Sequence, residues 1–206
     1  MILRFIRIRN VHLEQVRLWR MLEDVTKYMY TDPRVSPEDQ RKWYRRIEEA
    51  QSRMDWMIDV DGRDVGVVNL YDIDLVNRRC FWAYYLGEPV TRGKGIGKAV
   101  ELSVLDYVFD RLRLHKLCCE VFEWNDSVIK MHQKYGSIIE GTLRRHIQKR
   151  GEYHNVIRMA ILRQEWEEGI KGKFQYSQAE IEEWEEKVAH ILSSFNEQMP
   201  TGDMLS

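Results

Sequence analysis

A glycine-rich segment in the middle of the chain constrains its fold more than any other feature. Glycines occupy positions 93, 95 and 97, between an extended apolar stretch and an amphipathic stretch with helical spacing. Glycine leaves backbone N–H groups uncovered, so a diphosphate can approach the unpaired donors and the positive dipole end of a following helix. The segment predicts a strand, a phosphate-binding loop and a helix that together hold a phosphorylated cofactor.

The spacing of these glycines excludes two common phosphate loops. A nucleoside-triphosphate loop needs four residues between its first glycine and Gly-Lys-Ser/Thr, and a dinucleotide fold needs G-x-G-x-x-G after the first strand of a parallel sheet. Here Arg92 to Gly97 read Arg-x-x-Gly-x-Gly, far from the first strand. A different class of cofactor site is indicated.

Composition narrows the class of protein further. The 206 residues can bury one substantial core, and 32 Lys and Arg against 33 Asp and Glu give no global basic field for nucleic acid or anionic lipid. No signal-like N-terminus and no membrane-length apolar stretch is found, so we expect a cytoplasmic protein without a membrane partner. Cys80, Cys118 and Cys119 lack metal-ligand spacing, so we expect reduced thiols and no metal site.

Hydrophobic periodicity and turn signals predict the element order β-α-α-β-β-β-α-β-α-β-β. This order is typical of an α/β (α+β) layer fold, a mostly antiparallel sheet of six to seven strands with helices on both faces. The predicted strands span residues 2–8, 55–60, 64–71, 80–86, 116–122, 138–149 and 153–162. The predicted helices span 11–22 after an Asn10 cap, 37–52 after a Ser36 cap, 96–112 and 126–135.

The last forty residues differ in composition from the rest. Ser177 to Glu180 match a capping box that would open a charged helix ending near Ser194, and the chain from Pro200 onward looks frayed. We therefore expect residues 1–168 to form the domain. Residues 169–206 would add a C-terminal helical extension, solvated or packed against a second copy in a homodimer.

The loop from Arg92 to Gly97 resembles the signature Gln/Arg-x-x-Gly-x-Gly/Ala of the GCN5-related N-acetyltransferase (GNAT) family. The predicted element order is similar to that of the family from about residue 3 to 166. Asn125 followed by a short helix ending in Tyr135-Gly136 resembles the family's second cofactor motif. The resemblance implies an enzyme that uses acetyl-coenzyme A and no metal, and that acetylates an amine directly in a ternary complex.

The same resemblance implies which residues bind the cofactor. Backbone groups of Leu86 and Gly87 would hold the pantetheine arm, and one N–H would polarise the thioester carbonyl. Asn125 would also bind this arm. Backbone amides of the loop would bind the diphosphate, at Arg92, Gly93, Lys94, Gly95, Ile96 and Gly97.

Transfer to an amine also requires a neutral nitrogen and a proton for the departing thiolate. Many family members place a tyrosine seven residues after the asparagine, where this chain has His132. A histidine can donate that proton if its pKa stays near or above neutrality, and Tyr135 is the substitute. Glu120 and Glu123 are the candidate bases, acting directly or through water.

Several local features resemble the subfamily of aminosugar-nucleotide N-acetyltransferases of pseudaminic acid biosynthesis. They are Trp19-Arg20 before a Met29-Tyr30 loop, Gln40-x-x-Trp43, Tyr84-Tyr85, Glu140 to Arg144 and Glu165-Trp166. This resemblance implies a UDP-linked aminosugar acetylated at its 4-amino group. Arg20 and Met29 would flank the nucleotide and Tyr85 would line the sugar pocket. Gln40 and Trp43 stand where relatives carry His and Phe.

Other functions remain open at this stage. A ribosomal-protein or other peptide N-terminal acetyltransferase shares the surroundings of Glu140-Gly141 and Glu165-Trp166. A polyamine acetyltransferase is disfavoured, because a polycation calls for clustered carboxylates that Asp72 and Asp74 hardly supply. A non-catalytic acyl-coenzyme A-binding module is the hypothesis from outside the enzymes.

Overall fold

A computed structural model describes residues 1–88 and 93–197, so Arg92 and the end of the chain from residue 198 lie outside the described residues. The strands of the described part are β1 Leu3–Arg7, β2 Met54–Val60, β3 Arg63–Asp74, β4 Arg79–Leu86, β5 Lys116–Phe122, β6 Ile138–Lys149, β7 Glu152–Leu162 and β8 Glu180–Ile181. They form one sheet in the order β6-β7-β5-β4-β3-β2-β1-β8. The pairs β4–β5 and β1–β8 are parallel and the other pairs are antiparallel.

Helices cover both faces of this sheet, as predicted. The helices of the described part are α1 Leu13–Trp19, α2 Glu23–Thr26, α3 Pro37–Glu49, α4 Ile96–Asp106, α5 Asp126–Lys134, α6 Arg163–Gly169 and α7 Glu185–Glu197. One hydrophobic cluster packs α1 and α3 on Met57 and Val67, and a larger one packs α4 to α7 on the opposite face. A π-helical turn, Tyr107–Arg111, continues α4. None of the described helices combines the length and apolar character needed to cross a bilayer.

The prediction of one helix over residues 11–22 is wrong. Asn10–His12 form a 3-10 turn rather than a cap, and Leu22 adopts an extended conformation with ψ 132° that separates α1 from α2. The prediction for α3 is confirmed at its start, where Ser36 accepts a hydrogen bond from the Asp39 amide at 3.1 Å. A helix cap depends on a few neighbouring residues, so the sequence could predict the start of α3. The break at Leu22 has no glycine, proline or other turn residue, so the sequence could not predict it.

The segment after α6 belongs to the core of the fold. The prediction of a solvated helix opening at Ser177 is wrong: residues 177–179 are not helical, and Glu180–Ile181 form the eighth strand, beside β1. Trp184, Val188, Ile191 and Phe195 are buried in the larger cluster. Their spacing of three and four residues forms a helical stripe that the surrounding charges obscured in the sequence.

Strands β4 and β5 pair over only three residues. Arg79 to Phe81 lie beside Lys116 to Cys118, and beyond this point the two strands have no pairing. β4 stays paired with β3 as far as Leu86, and β5 stays paired with β7 as far as Phe122. A gap therefore opens inside the sheet towards the carboxyl ends of β4 and β5.

Candidate active site

The glycine-rich loop and the start of α4 lie at the mouth of this gap. Gly93 and Gly95 have φ values of 77° and 76°, a conformation that side chains disfavour, and α4 begins at Ile96. No atom of the described residues lies within 4 Å of the position that a Cβ would take at either glycine. The positive φ values therefore favour glycine here, and the space left by the described residues fits an anion at the helix N-terminus.

The carboxyl half of β4 directs backbone groups into the gap. Successive residues of an antiparallel strand point their N–H and C=O groups to opposite sides. The Gly87 N–H donates to the Val65 carbonyl of β3 at 2.8 Å, so the backbone groups of Leu86 face the gap. Of the two predicted pantetheine positions, Leu86 is the one with backbone groups available to a ligand.

Gly87 has a packing role instead. A Cβ at this residue would lie 2.2 Å from the Trp19 ring. Trp19 is buried and its Nε1–H donates to Glu88 at 3.0 Å. This contact joins α1 to the end of β4, close to the loop.

Asn125 lies at the N-terminus of α5, directly after β5. Because β4 and β5 are parallel, the helices that follow them begin at the same edge of the sheet. Asn125 is buried, and its Oδ1 accepts a hydrogen bond from the Ser127 hydroxyl at 3.3 Å. The structure thus brings the two predicted cofactor motifs to the two sides of one gap.

His132 is buried rather than on the helix surface. Its Nδ1 lies 2.8 Å from Oε1 of Glu101 on α4, and its ring meets Trp82 edge-on at 5.4 Å. Burial by itself would lower the pKa of His132. The Cys119 thiol, within hydrogen-bonding reach, and the Glu101 carboxylate outweigh burial and raise this pKa to about 10.

Tyr135, the substitute acid, packs in the core. It is 4 % exposed and its ring meets Phe174 edge-on at 5.3 Å. Burial raises the pKa of its hydroxyl. Its backbone N–H bonds to carbonyls of α5, so Tyr135 caps the C-terminus of this helix, and Gly136 follows with a φ of 97°.

The two candidate bases differ in their surroundings. Glu120 accepts hydrogen bonds from the Tyr30 hydroxyl at 2.7 Å and from Arg158 Nε at 3.0 Å. Glu123 is exposed and accepts from Asn155 Nδ2 at 3.0 Å. Both carboxylate oxygens of Glu120 are therefore already hydrogen-bonded, whereas Glu123 is more accessible to water.

A polar cluster lies on the sheet face that carries α1 and α3. Arg20 Nη1 donates to Gln40 Oε1 at 2.9 Å, and the guanidinium lies 5.1 Å from the Trp43 ring centre. Burial lowers the pKa of Arg20, and the neighbouring Tyr85 hydroxyl is buried too. The structure therefore brings together four of the five predicted acceptor residues.

Three buried polar atoms in this region have no hydrogen-bond partner among the described residues: Gln40 Nε2, Asn69 Oδ1 and the Tyr85 hydroxyl. Asn69 and Tyr85 lie on neighbouring strands and on one face, because Asn69 pairs with Ala83, two residues before Tyr85. Buried polar groups are normally satisfied, so unsatisfied ones at a candidate site favour a polar ligand. Asn69 was missed in the sequence because a lone asparagine in a strand has no motif.

Met29 belongs to a different contact. Lys149, on the β6–β7 hairpin, donates to the carbonyls of Thr26 and Met29 at 2.6 and 2.7 Å. Lys149 also pairs with Asp32 at 3.0 Å. This buried lysine fixes the loop after α2, which the sequence offered no means of predicting.

Among the described residues, no group of His, Cys, Asp and Glu side chains could hold a metal ion. The arrangement is a split sheet with the glycine-rich loop on one side and a polar face on the other. It can hold an extended thioester in the gap and present an acceptor from the face carrying α1 and α3.

A family model described as the acetyltransferase (GNAT) domain matches residues 1–138. The chain belongs to the GNAT family. It is an N-acetyltransferase that uses acetyl-coenzyme A, which confirms the prediction from the loop. The subfamily remains a proposal.

Among the individual relatives, some have names that state spermidine as the substrate and others have names that state no substrate. Spermidine N(1)-acetyltransferase of Escherichia coli K12 is 27% identical over 164 residues, which cover 78% of this chain and 88% of that protein. Acetyltransferase PseH of Campylobacter jejuni strain 81-176 is 20% identical over 130 residues, covering 63% and 79%. Spermidine N-acetyltransferase of Vibrio cholerae, solved with CoA and spermine, superposes with a TM-score of 0.75 at 22% identity, covering 80% and 97%. This last likeness shows the fold.

Proposed function

We propose that this acetyltransferase acts on the primary amine of a small acceptor that also carries negative charge, with the 4-amino group of a UDP-linked aminosugar as the candidate. The observation that carries the proposal is Arg20. Its polar contact is with the neutral Gln40 side chain, and none of the ion pairs among the described residues includes it. A partly buried guanidinium without a carboxylate partner suits a phosphate, which it can bind through two hydrogen bonds.

Neighbouring groups suit the remainder of such an acceptor. The Trp43 ring beside Arg20 offers a flat face for a base or sugar ring. Gln40 Nε2, a donor, and Asn69 Oδ1, an acceptor, can pair with hydroxyl or amide groups. A sugar nucleotide contains all of these features.

A polyamine is the second candidate acceptor, because the relatives of higher identity include spermidine acetyltransferases. The carboxylates on this face argue against it. Buried Asp55 binds Arg53 through two hydrogen bonds of 2.7 and 2.8 Å, and Glu120 binds Arg158. A polycation would have to displace an arginine from a carboxylate, which costs several kcal/mol for a buried pair.

The residues around the gap would bind the cofactor and move the two protons of the reaction. Acetyl-coenzyme A supplies the activated acyl group. Loop amides between Gly93 and Gly97 would bind its diphosphate, and the Leu86 N–H, facing the gap, would stabilise negative charge on the thioester oxygen. Glu123, through water, would accept the proton of the acceptor ammonium. His132 would donate a proton to the departing sulfur.

An acceptor screen tests this proposal. Thiol release is measured with acetyl-coenzyme A and a UDP-4-amino sugar, spermidine, or peptides with free N-termini. Arg20→Ala should raise the KM for the UDP-aminosugar at least about tenfold and leave the KM for acetyl-coenzyme A unchanged. Arg45→Ala, an exposed position on α3, is the control.

The other outcomes identify the alternatives. Turnover with spermidine alone would replace the anionic acceptor by a polyamine, and turnover with peptides alone would indicate a peptide N-terminal acetyltransferase. Cofactor binding without any turnover would indicate a binding module. Equal effects of Arg20→Ala on both KM values would remove Arg20 from the acceptor site.

A further inference from the structure

Glu101 is a buried carboxylate in an otherwise apolar part of α4. It is 1 % exposed, and the residues on both sides of it, Val100 and Leu102, belong to the core. Its Oε1 lies 2.8 Å from His132 Nδ1, and its Oε2 has no hydrogen-bond partner among the described residues. Burial of a carboxylate is costly without a charged partner, and His132 is the partner that the fold supplies.

The pair lies where the sheet splits. Cys118 is the last residue of β5 that pairs with β4, and Cys119, the next residue, is within hydrogen-bonding reach of the His132 ring. Trp82, the first residue of β4 beyond the pairing, meets the ring edge-on. Because Nδ1 hydrogen-bonds Glu101, the other ring nitrogen, Nε2, is left for Cys119 and for the apex of the gap, which is the point where β4 and β5 cease to pair.

The groups around the imidazole favour its charged form. Glu101 faces it from α4 and Cys119 from β5, and Tyr84 of β4 and Tyr135, which follows α5, lie close enough to Glu101 to feel its charge. The pKa values of the Tyr84 and Tyr135 hydroxyls are raised, first by burial and then by Glu101, so both are neutral near pH 7. Glu101 is therefore the carboxylate that stabilises the charged ring, together with the Cys119 thiol.

We propose that Glu101 is a positioning residue that holds His132 doubly protonated, with Nε2–H directed to the apex of the gap. This inference rests on the role proposed for His132. In the transfer step the Nε2–H bond breaks and an S–H bond forms on the departing thiolate. His132 is left neutral with Nδ1–H on Glu101, and water then returns the proton.

The test compares wild type with Glu101→Gln, which keeps the shape of the side chain and removes its charge. The alkaline limb of the kcat profile should move to lower pH by about one unit or more, while the KM for acetyl-coenzyme A stays within about twofold. Asp106→Asn is the matched control, since Asp106 is a carboxylate on the same helix that bonds Tyr176 and Gln178 instead. An unchanged profile in Glu101→Gln would overturn the inference.

A second measurement does not depend on turnover. Titration of the His132 ring by NMR should give a pKa well above 6.5 in the wild type and a lower value in Glu101→Gln. A wild-type ring that titrates at or below 6.5, or the same value in both proteins, would refute the role of Glu101. If no amine is acetylated, the proposed function fails, and the NMR titration still decides whether Glu101 holds the charged ring.

Discussion

Gly97→Ala tests the packing at the start of α4, the helix that carries both the loop and Glu101. A Cβ at Gly97 would lie 2.7 Å from the Tyr84 hydroxyl oxygen, closer than real Cβ contacts. Tyr84 cannot retreat freely, because its ring stacks on Trp82 at 5.6 Å and 10° and its hydroxyl contacts Met131 sulfur at 3.9 Å. Overpacking of this kind costs about 1–3 kcal/mol, and the helical preference for alanine over glycine returns up to about 1 kcal/mol.

Removing the Tyr84 hydroxyl should remove the destabilisation caused by Gly97→Ala. In Tyr84→Phe the nearest atoms to the new Cβ would be the ring carbon Cζ and Met131 sulfur, each at 3.7 Å, which is ordinary contact. Gly97→Ala should therefore destabilise the wild type and be neutral or stabilising in the Tyr84→Phe background. The coupling free energy between the two changes should be about 1–3 kcal/mol.

Urea unfolding of the four proteins of this cycle measures the coupling, and calorimetry measures acetyl-coenzyme A affinity. We expect Gly97→Ala to weaken that affinity and Tyr84→Phe to restore it. Gly169→Ala is the control for the intrinsic effect of the substitution, because Gly169 lies in α6 and none of the described residues comes within 4 Å of the new Cβ. Effects of Gly97→Ala and Tyr84→Phe that add within about 0.5 kcal/mol would refute the predicted clash.

Three further predictions concern the fold around the site. Ile191→Ala should lower the free energy of unfolding by about 2–5 kcal/mol, against about 0.5 kcal/mol for exposed His190→Ala, in urea unfolding; equal small effects would mean that α7 is not part of the core. Lys149→Met should lower the free energy of unfolding by about 1–3 kcal/mol, because it leaves two carbonyls without their hydrogen bonds. It should also speed proteolysis of the loop after α2, and an unchanged cleavage rate would contradict this. The pKa of His132 is raised in the folded protein, so the charged ring stabilises the fold. Its contribution to the free energy of unfolding is complete below about pH 6.5 and declines as the pH rises towards about 10. The stability difference between wild type and Glu101→Gln should therefore narrow between about pH 6 and pH 9 in urea titrations, and a constant difference would contradict the raised pKa.

Local signals in the sequence predicted much of the fold. The Ser36 cap, the turn at Asp61-Gly62 and the glycines before α4 each act over a few residues, and the structure has α3, the β2–β3 hairpin and α4 at these places. Predictions failed where a distant partner decides the outcome. Residues 180–181 form a strand because β1 lies beside them, and nothing in their own composition indicates it.

The candidate site also contains residues that the local sequence predicted and residues that only distant contacts decide. Its loop and its asparagine were recognisable because backbone conformation and motif spacing are local. The polar face was only partly predicted: Arg20, Gln40, Trp43 and Tyr85 came from a resemblance, while Asn69 carries no motif. The role of Gly87 changed once the structure supplied the Trp19 ring that fills the space beside it.

From the amino-acid sequence alone, hydrophobic periods and turn residues predicted the order of most elements, because they act on the chain nearest to them, and a resemblance of motifs indicated the family and the cofactor. The tertiary structure decided that His132 is buried against Glu101, 31 residues earlier, and that α7 completes the core. A buried charge must find its partner wherever packing places one, and that placement is a property of the whole fold.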